Sequence, residues 1–165
     1  MRMKAKGFTF IEIIIVLGIM GILALASYPS IRNAMEVRGL EGSARDILTT
    51  LQAAKFQAVN KKIYHRVRFF QSGTAWAFQI EQEVSSGTWS MLPEYVPKML
   101  PSQFTVTISL PDNNTVVYSP TGFVSNYSIA AHSVSLVSPK VAAQGKPSQR
   151  LLMIYQGGSI EYSKL

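Results

Sequence analysis

The chain has 165 residues, no cysteine and a formal charge of +7. That length holds one membrane element and one modest domain, and without thiols it can build neither a disulfide framework nor a thiolate metal site. The charge is unevenly placed: Arg2, Lys4 and Lys6 crowd the start, and no Lys or Arg recurs until Arg32.

Between those cations lies Gly7-Phe-Thr-Phe-Ile-Glu12, then an apolar run from Ile13 to Ala26. From Phe8 to Tyr28 there are 21 residues, about 30 Å as a helix, enough to cross a bilayer core. The charge asymmetry predicts a cytoplasmic start and places everything after Tyr28 across the membrane. One carboxylate, Glu12, interrupts the span. A charge there costs a few kcal/mol, so it calls for a partner and reads as functional. Two plainer readings compete. An ordinary signal peptide, cut after Ala24-Leu25-Ala26, would release a soluble exported protein starting at Ser27. A simple signal anchor would explain the charges but not the Gly-Phe-Thr-Phe-Ile-Glu string.

Beyond Pro29, apolar residues recur at spacings of mostly three and four: Ile31, Met35, Leu40, Ala44, Ile47, Leu48, Leu51, Ala54 and Ala58. That predicts an amphipathic helix over 29–61 with one apolar stripe, continuing the helix begun at Phe8. Gly39 and Gly42 weaken it by roughly 1 kcal/mol each and allow a bend or a close contact. Pro29 is expected to kink it.

After Asn60 the period becomes two. Ile63, His65, Val67 and Phe69 share one face and Tyr64, Arg66, Arg68 and Phe70 the other. Trp76, Phe78 and Ile80 mark a second strand and Trp89 to Leu92 a third, with turns at Gln71 to Thr74 and Ser85 to Gly87. Pro93, Pro97 and Pro101 are expected to exclude regular structure from a connecting segment. Phe104 to Leu110 alternates clearly. Pro111-Asp112-Asn113-Asn114 is a turn, Ser138 to Gln149 a polar loop, and Val116 to Tyr118, Ser133 to Val137, Leu151 to Tyr155 and Ser159 to Tyr162 are short strands. One long helix followed by short strands predicts an α+β fold, with the helix packed on a small antiparallel β domain over 62–165.

The opening resembles the type IV pilin and type II secretion pseudopilin family: basic leader, Gly at the cleavage point, Phe at the new N-terminus and Glu five residues in. The resemblance implies a leader over 1–7, cleavage between Gly7 and Phe8 by a prepilin peptidase, N-methylation of Phe8, and an inner-membrane helix over 8–28 carrying a periplasmic domain. Without the leader cations the net charge falls to +4. Glu12 would neutralise the Phe8 amine of a neighbouring subunit and so act in assembly. Partners implied are other pilins or pseudopilins, the inner-membrane assembly platform and membrane lipid. Tyr118-Ser-Pro-Thr-Gly122, the strand Leu151 to Tyr155 before Gly157-Gly158, and the Ala44-Arg45 and Lys55-to-Asn60 segments resemble the H-type minor pseudopilins (the GspH/FimT group). A structural role at or near a filament tip follows, although the tip-most subunit of such systems often lacks the carboxylate.

No enzyme is expected, and no cofactor. His65 and His132 have no metal-ligand spacing, His65 reads as a core residue, and no serine sits in a GxSxG elbow. Some members of the minor-pilin group bind DNA in natural transformation through basic residues near a C-terminal Gly-Arg motif. Here that place reads Gly157-Gly158-Ser159-Ile160-Glu161, with only Lys164 nearby. DNA binding is therefore the alternative, not the expectation. The cluster Lys61, Lys62, Arg66 and Arg68 reads as a solvated surface.

Overall fold

The computed structural model describes residues 8–165, so Arg2, Lys4, Lys6 and Gly7 lie outside the described residues. Helix α1, Phe10–Lys61, runs for 52 residues with Pro29 inside it. The helix runs on through Pro29. The chain divides into two units, one ending at Met35 and the other Glu36–Leu165.

In the first unit every described side chain is exposed. The most apolar window of α1 is long enough to cross a membrane, and none of it is buried. With large apolar residues such as Ile15, Leu17, Leu23 and Leu25 more than half open, this surface lacks the cover that a water-soluble helix finds in its own core.

The second unit is a β domain on the later part of α1. One sheet holds β1 (His65–Ser72), β2 (Ala75–Ser85), β3 (Thr88–Met91), β4 (Lys98–Met99) and β6 (Thr115–Tyr118), in the order β3-β2-β1-β6, with β4 also on β2. The other holds β5 (Thr105–Ser109), β7 (Ser133–Val137), β8 (Gln149–Ile154) and β9 (Ile160–Lys164), in the order β5-β7-β8-β9. All pairings are antiparallel. The α+β expectation holds.

One core joins the helix to both sheets. Leu40, Ala44, Ile47, Leu51, Ala54 and Ala58 of α1 cluster with residues such as Phe69, Phe78, Tyr118, Leu136 and Leu152. Three alanines on that stripe let the sheets approach the helix axis closely, and truncating one of the buried leucines would cost roughly 2–5 kcal/mol. Here the structure shortens the expected stripe. Ile31 and Met35 are exposed, because sheet cover begins only with the second unit. Gly39 faces Phe104, whose Cζ lies 3.6 Å from where a Cβ would stand, so it supplies the close contact, while Gly42 faces open space.

Two local expectations need correction. The proline segment does contain regular structure: Lys98 and Met99 pair with Phe78 and Ala77. Their amides lie between Pro97 and Pro101 and are free to join the edge of the sheet. The polar loop contains a helical turn, Pro139–Ala142, whose N-cap Ser138 accepts a hydrogen bond from the Val141 amide. Elsewhere the turn chemistry is as read: Asp112, Asn113 and Asn114 all take positive φ, which short polar side chains tolerate best.

Candidate functional site

The N-terminal site is built on the first turn of α1. Thr9 precedes the helix, and Glu12 sits three residues later. The Glu12 amide donates to Thr9 Oγ1 at 3.3 Å, and the Thr9 amide donates to Glu12 Oε2 at 3.5 Å. This reciprocal pair is a capping box, which satisfies amides that the helix end leaves without partners. The Thr-x-x-Glu spacing was legible in the sequence, but the carboxylate's intrahelical use was missed. Glu12 Oε1 has no hydrogen-bond partner among the described residues. Phe8, Glu12, Ile13, Val16, Leu17 and Met20 line one shallow depression, apolar apart from the carboxylate. Phe8 and Glu12 are therefore brought together on one exposed stretch, while Gly7 lies outside the described residues.

A second carboxylate of α1 has the opposite surroundings. Glu41 Oε1 accepts from Arg45 Nε at 3.0 Å. Its Oε2 accepts from Tyr162 Oη at 2.7 Å and Arg150 Nε at 3.1 Å, with Lys164 Nζ at 3.2 Å. Arg150 is buried and also donates to the Pro147 and Gln149 carbonyls. Burial pushes the Glu41 carboxyl up, but the donors Tyr162, Lys164, Arg150 and Arg45 outweigh it and hold it at about 2. Burial and the bond to Glu41 push Tyr162 up to about 12. This hub pins the β8–β9 hairpin to the helix. No local pattern announces it, since Arg150 and Tyr162 lie 109 and 121 residues further along.

The segments that resembled the H-type group also meet in space. Lys55 Nζ donates to the carbonyls of Gly157 and Gly158 at 3.2 and 3.1 Å. Gly122 packs on the same side chain: a Cβ there would stand 3.2 Å from Lys55 Cε and from Val59 Cγ2. The Tyr118-to-Gly122 turn and the closing hairpin turn are thus both seated on α1 at Lys55.

Of the expected basic surface, Lys61 and Lys62 are exposed as read, while Arg66 and Arg68 are partly buried beside a carboxylate. Arg66 pairs with Glu81 Oε2 at 2.5 Å and Arg68 with Glu81 Oε1 at 3.3 Å. Arg66 also stacks on Trp89, 4.4 Å from the ring centroid. These arginines share one carboxylate on the sheet, and Arg68 remains partly open to solvent. At the other candidate nucleic-acid position, Glu161 accepts from Tyr155 Oη at 2.5 Å, so that turn presents an acid. His65 is fully buried, with Nδ1 3.1 Å from the Ile63 carbonyl; burial pushes it below its ordinary value. Among the described residues no three potential ligands form a metal cluster.

Residues 2–28 match the family model of the prokaryotic N-terminal methylation motif. No curated protein matches the sequence. The fold is similar to that of the type IV minor pilin FimU of Pseudomonas aeruginosa PAO1, with 16% identity and a TM-score of 0.52 over 74% of this chain and 91% of that one. It is also similar to the minor pseudopilin EpsH from the type 2 secretion system of Vibrio cholerae, with 12% identity and a TM-score of 0.55 over 75% and 95%. The chain therefore carries the methylation motif of prepilin-type proteins on a minor-pilin-like α+β fold.

Proposed function

We propose that this chain is a minor pilin or minor pseudopilin, a structural and non-catalytic subunit of a type IV pilus or type II secretion filament, seated at or near its tip. A prepilin peptidase removes residues 1–7, Phe8 becomes an N-methylated amine, and residues 8–28 hold the protein in the inner membrane with 62–165 in the periplasm. The observation that carries this reading is the Gly7-to-Glu12 string inside the matched motif, opening a helix whose apolar window has no cover among the described residues.

Glu12 is the docking group. Its cap to Thr9 uses one oxygen, and the other is open for the Phe8 amine of a neighbour entering through the assembly platform. In a medium of low dielectric, two opposite charges that find one another escape a desolvation cost that neither can bear alone. DNA uptake is the weaker reading, because Arg66 and Arg68 share a carboxylate and the closing turn presents Glu161.

Intact-mass analysis of membrane-extracted protein tests the processing step. The expected N-terminus is Phe8, heavier by one methylene when methylated. An N-terminus at Ser27 would instead make residues 1–26 a discarded signal peptide and sink the proposal.

A further inference from the structure

A strand at the edge of a sheet offers its spare amides and carbonyls to any other strand, and folds commonly guard such edges. Most edges here are guarded. β3 has four residues and follows a shift in register, and β4 has two, between Pro97 and Pro101. β6 is covered by the chain that follows it. The Val117 amide donates to Asn126 Oδ1 at 2.9 Å, and Asn126 Nδ2 donates to the Thr115 carbonyl at 3.0 Å. β9 carries Glu161 and Lys164. The edge of β5 has none of these devices. It reads Thr-Val-Thr-Ile-Ser, without a charge, a proline or a shift in register, and β7 is its one strand partner among the described residues.

The register fixes which groups of β5 are bare. The Ile154 amide donates to the His132 carbonyl at 2.8 Å, so by alternation Val134 and Leu136 turn their main chain to β8. Ser133, Ser135 and Val137 turn theirs to β5, opposite Ser109, Thr107 and Thr105. The amides and carbonyls of Val106 and Ile108 therefore point outward, with no hydrogen-bond partner among the described residues. The side chains of these two residues pack against the core but are only partly covered, and Thr105 and Thr107 are exposed.

We infer that β5 pairs with β5 of a second copy of this chain, antiparallel, across a two-fold axis at Thr107. The occupant is a strand, because an extended chain is what matches outward amides and carbonyls on alternate residues. It is a second copy because the strand is self-complementary. With Thr107 opposite Thr107, Val106 meets Ile108 and Thr105 meets Ser109, so apolar faces apolar and hydroxyl faces hydroxyl. No other symmetric register pairs the whole strand. Val106 and Ile108 of the two copies then exchange the main-chain bonds that each copy lacks alone. This contact lies wholly within Glu36–Leu165 and goes beyond the filament role.

The chain has no cysteine, so an introduced thiol reports a single contact. Opposed Thr107 residues would form a pair without mutual hydrogen bonds, with Cα atoms about 4.5 Å apart, inside the roughly 4.4–6.8 Å that a disulfide spans. Full-length Thr107→Cys in phosphatidylcholine vesicles, mildly oxidised, should dimerise covalently about tenfold faster than Thr88→Cys on exposed β3, because pairing concentrates the thiols. Thr105→Cys should be no faster than Thr88→Cys, whereas Thr105→Cys/Ser109→Cys should match Thr107→Cys. Thr107→Lys sets two cations face to face and should weaken self-association of the detergent-solubilised, cysteine-free chain about fivefold, read by sedimentation. Equal rates for Thr107→Cys and Thr88→Cys overturn the inference. So does rapid dimerisation of Thr105→Cys alone, which would mark collision without register. In native membranes, a Thr107→Cys cross-link to a different protein in place of its own copy would also overturn it.

Discussion

One helix carries two glutamates with opposite fates. Glu41 is ringed by Arg45, Arg150, Tyr162 and Lys164 from its own chain. Among the described residues the Glu12 carboxylate has only the amide of Thr9, and that at 3.5 Å. The first carboxylate is consumed by folding, so it stabilises the subunit and can do little else. The second is left incomplete on an apolar surface, where an unmatched charge is costly. A group that the monomer fails to satisfy is one that an assembly can use.

The sharpest way to break this comparison is to edit Glu12. Glu12→Gln retains a capping oxygen but no charge, Glu12→Asp retains charge on a shorter arm, and Glu12→Ala retains neither. If charge pairing governs assembly, Gln and Ala should both reduce cross-linking to the major subunit by on the order of a hundredfold, the equivalent of a few kcal/mol in lipid. Asp should keep part of it, and a processing blot should be unchanged for all three. Normal incorporation of the Gln variant would leave the cap as the only role of Glu12.

Editing Glu41 should do the reverse. Glu41→Ala leaves buried Arg150 with two carbonyls and no counter-charge, and should cost roughly 2–4 kcal/mol. Thermal unfolding of the detergent-solubilised chain should show this loss, with Glu12→Gln unaffected. The pH dependence separates the hub from the core. The Glu41 carboxyl is held at about 2 against an ordinary 4.5. The unfolded chain therefore takes up the proton first, and the hub's contribution, complete above 4.5, is lost as pH falls towards 2. His65, pushed down from 6.5 by burial, begins to cost stability earlier, as pH drops below 6.5 and the unfolded chain takes up its proton. Glu41→Gln should abolish the acid limb and leave the one near 6.5.

This contrast also explains what the sequence could and could not say. Apolar runs and strand alternation are local, so the span after Glu12, the stripe from Leu40 to Ala58 and the faces of β1 were readable. Glu12 stood out because a charge among apolar residues is conspicuous. Glu41 looked like any solvated helix residue, since its partners come from β8 and β9. Arg66 and Arg68 likewise looked free until β2 brought Glu81 beside them. Ile31 and Met35 continue the helical period perfectly well; their exposure depends on where the sheets begin, which periodicity does not encode.

The smallest expected effect lies at the Lys55 clamp, where neighbouring glycines can be compared directly. Gly158 has φ +72, and a Cβ there would stand 3.0 Å from Lys55 Nζ and collide with the Gly122 carbonyl. Gly157 has no positive φ and nothing within 4 Å. Lys55 is a flexible side chain and can retreat, but the Gly122 carbonyl is backbone and cannot without moving its turn. Gly158→Ala should therefore cost about 1–3 kcal/mol through combined strain and displacement, and should weaken the Lys55 bonds to both carbonyls. Gly157→Ala should fall within about 0.5 kcal/mol of wild type. Denaturant unfolding of the two variants side by side measures the difference. Equal stability would mean that the closing turn is not held closely against α1 at Lys55, leaving the Glu41 hub and the core packing of Leu152 and Ile154 to tie the last hairpin to the helix.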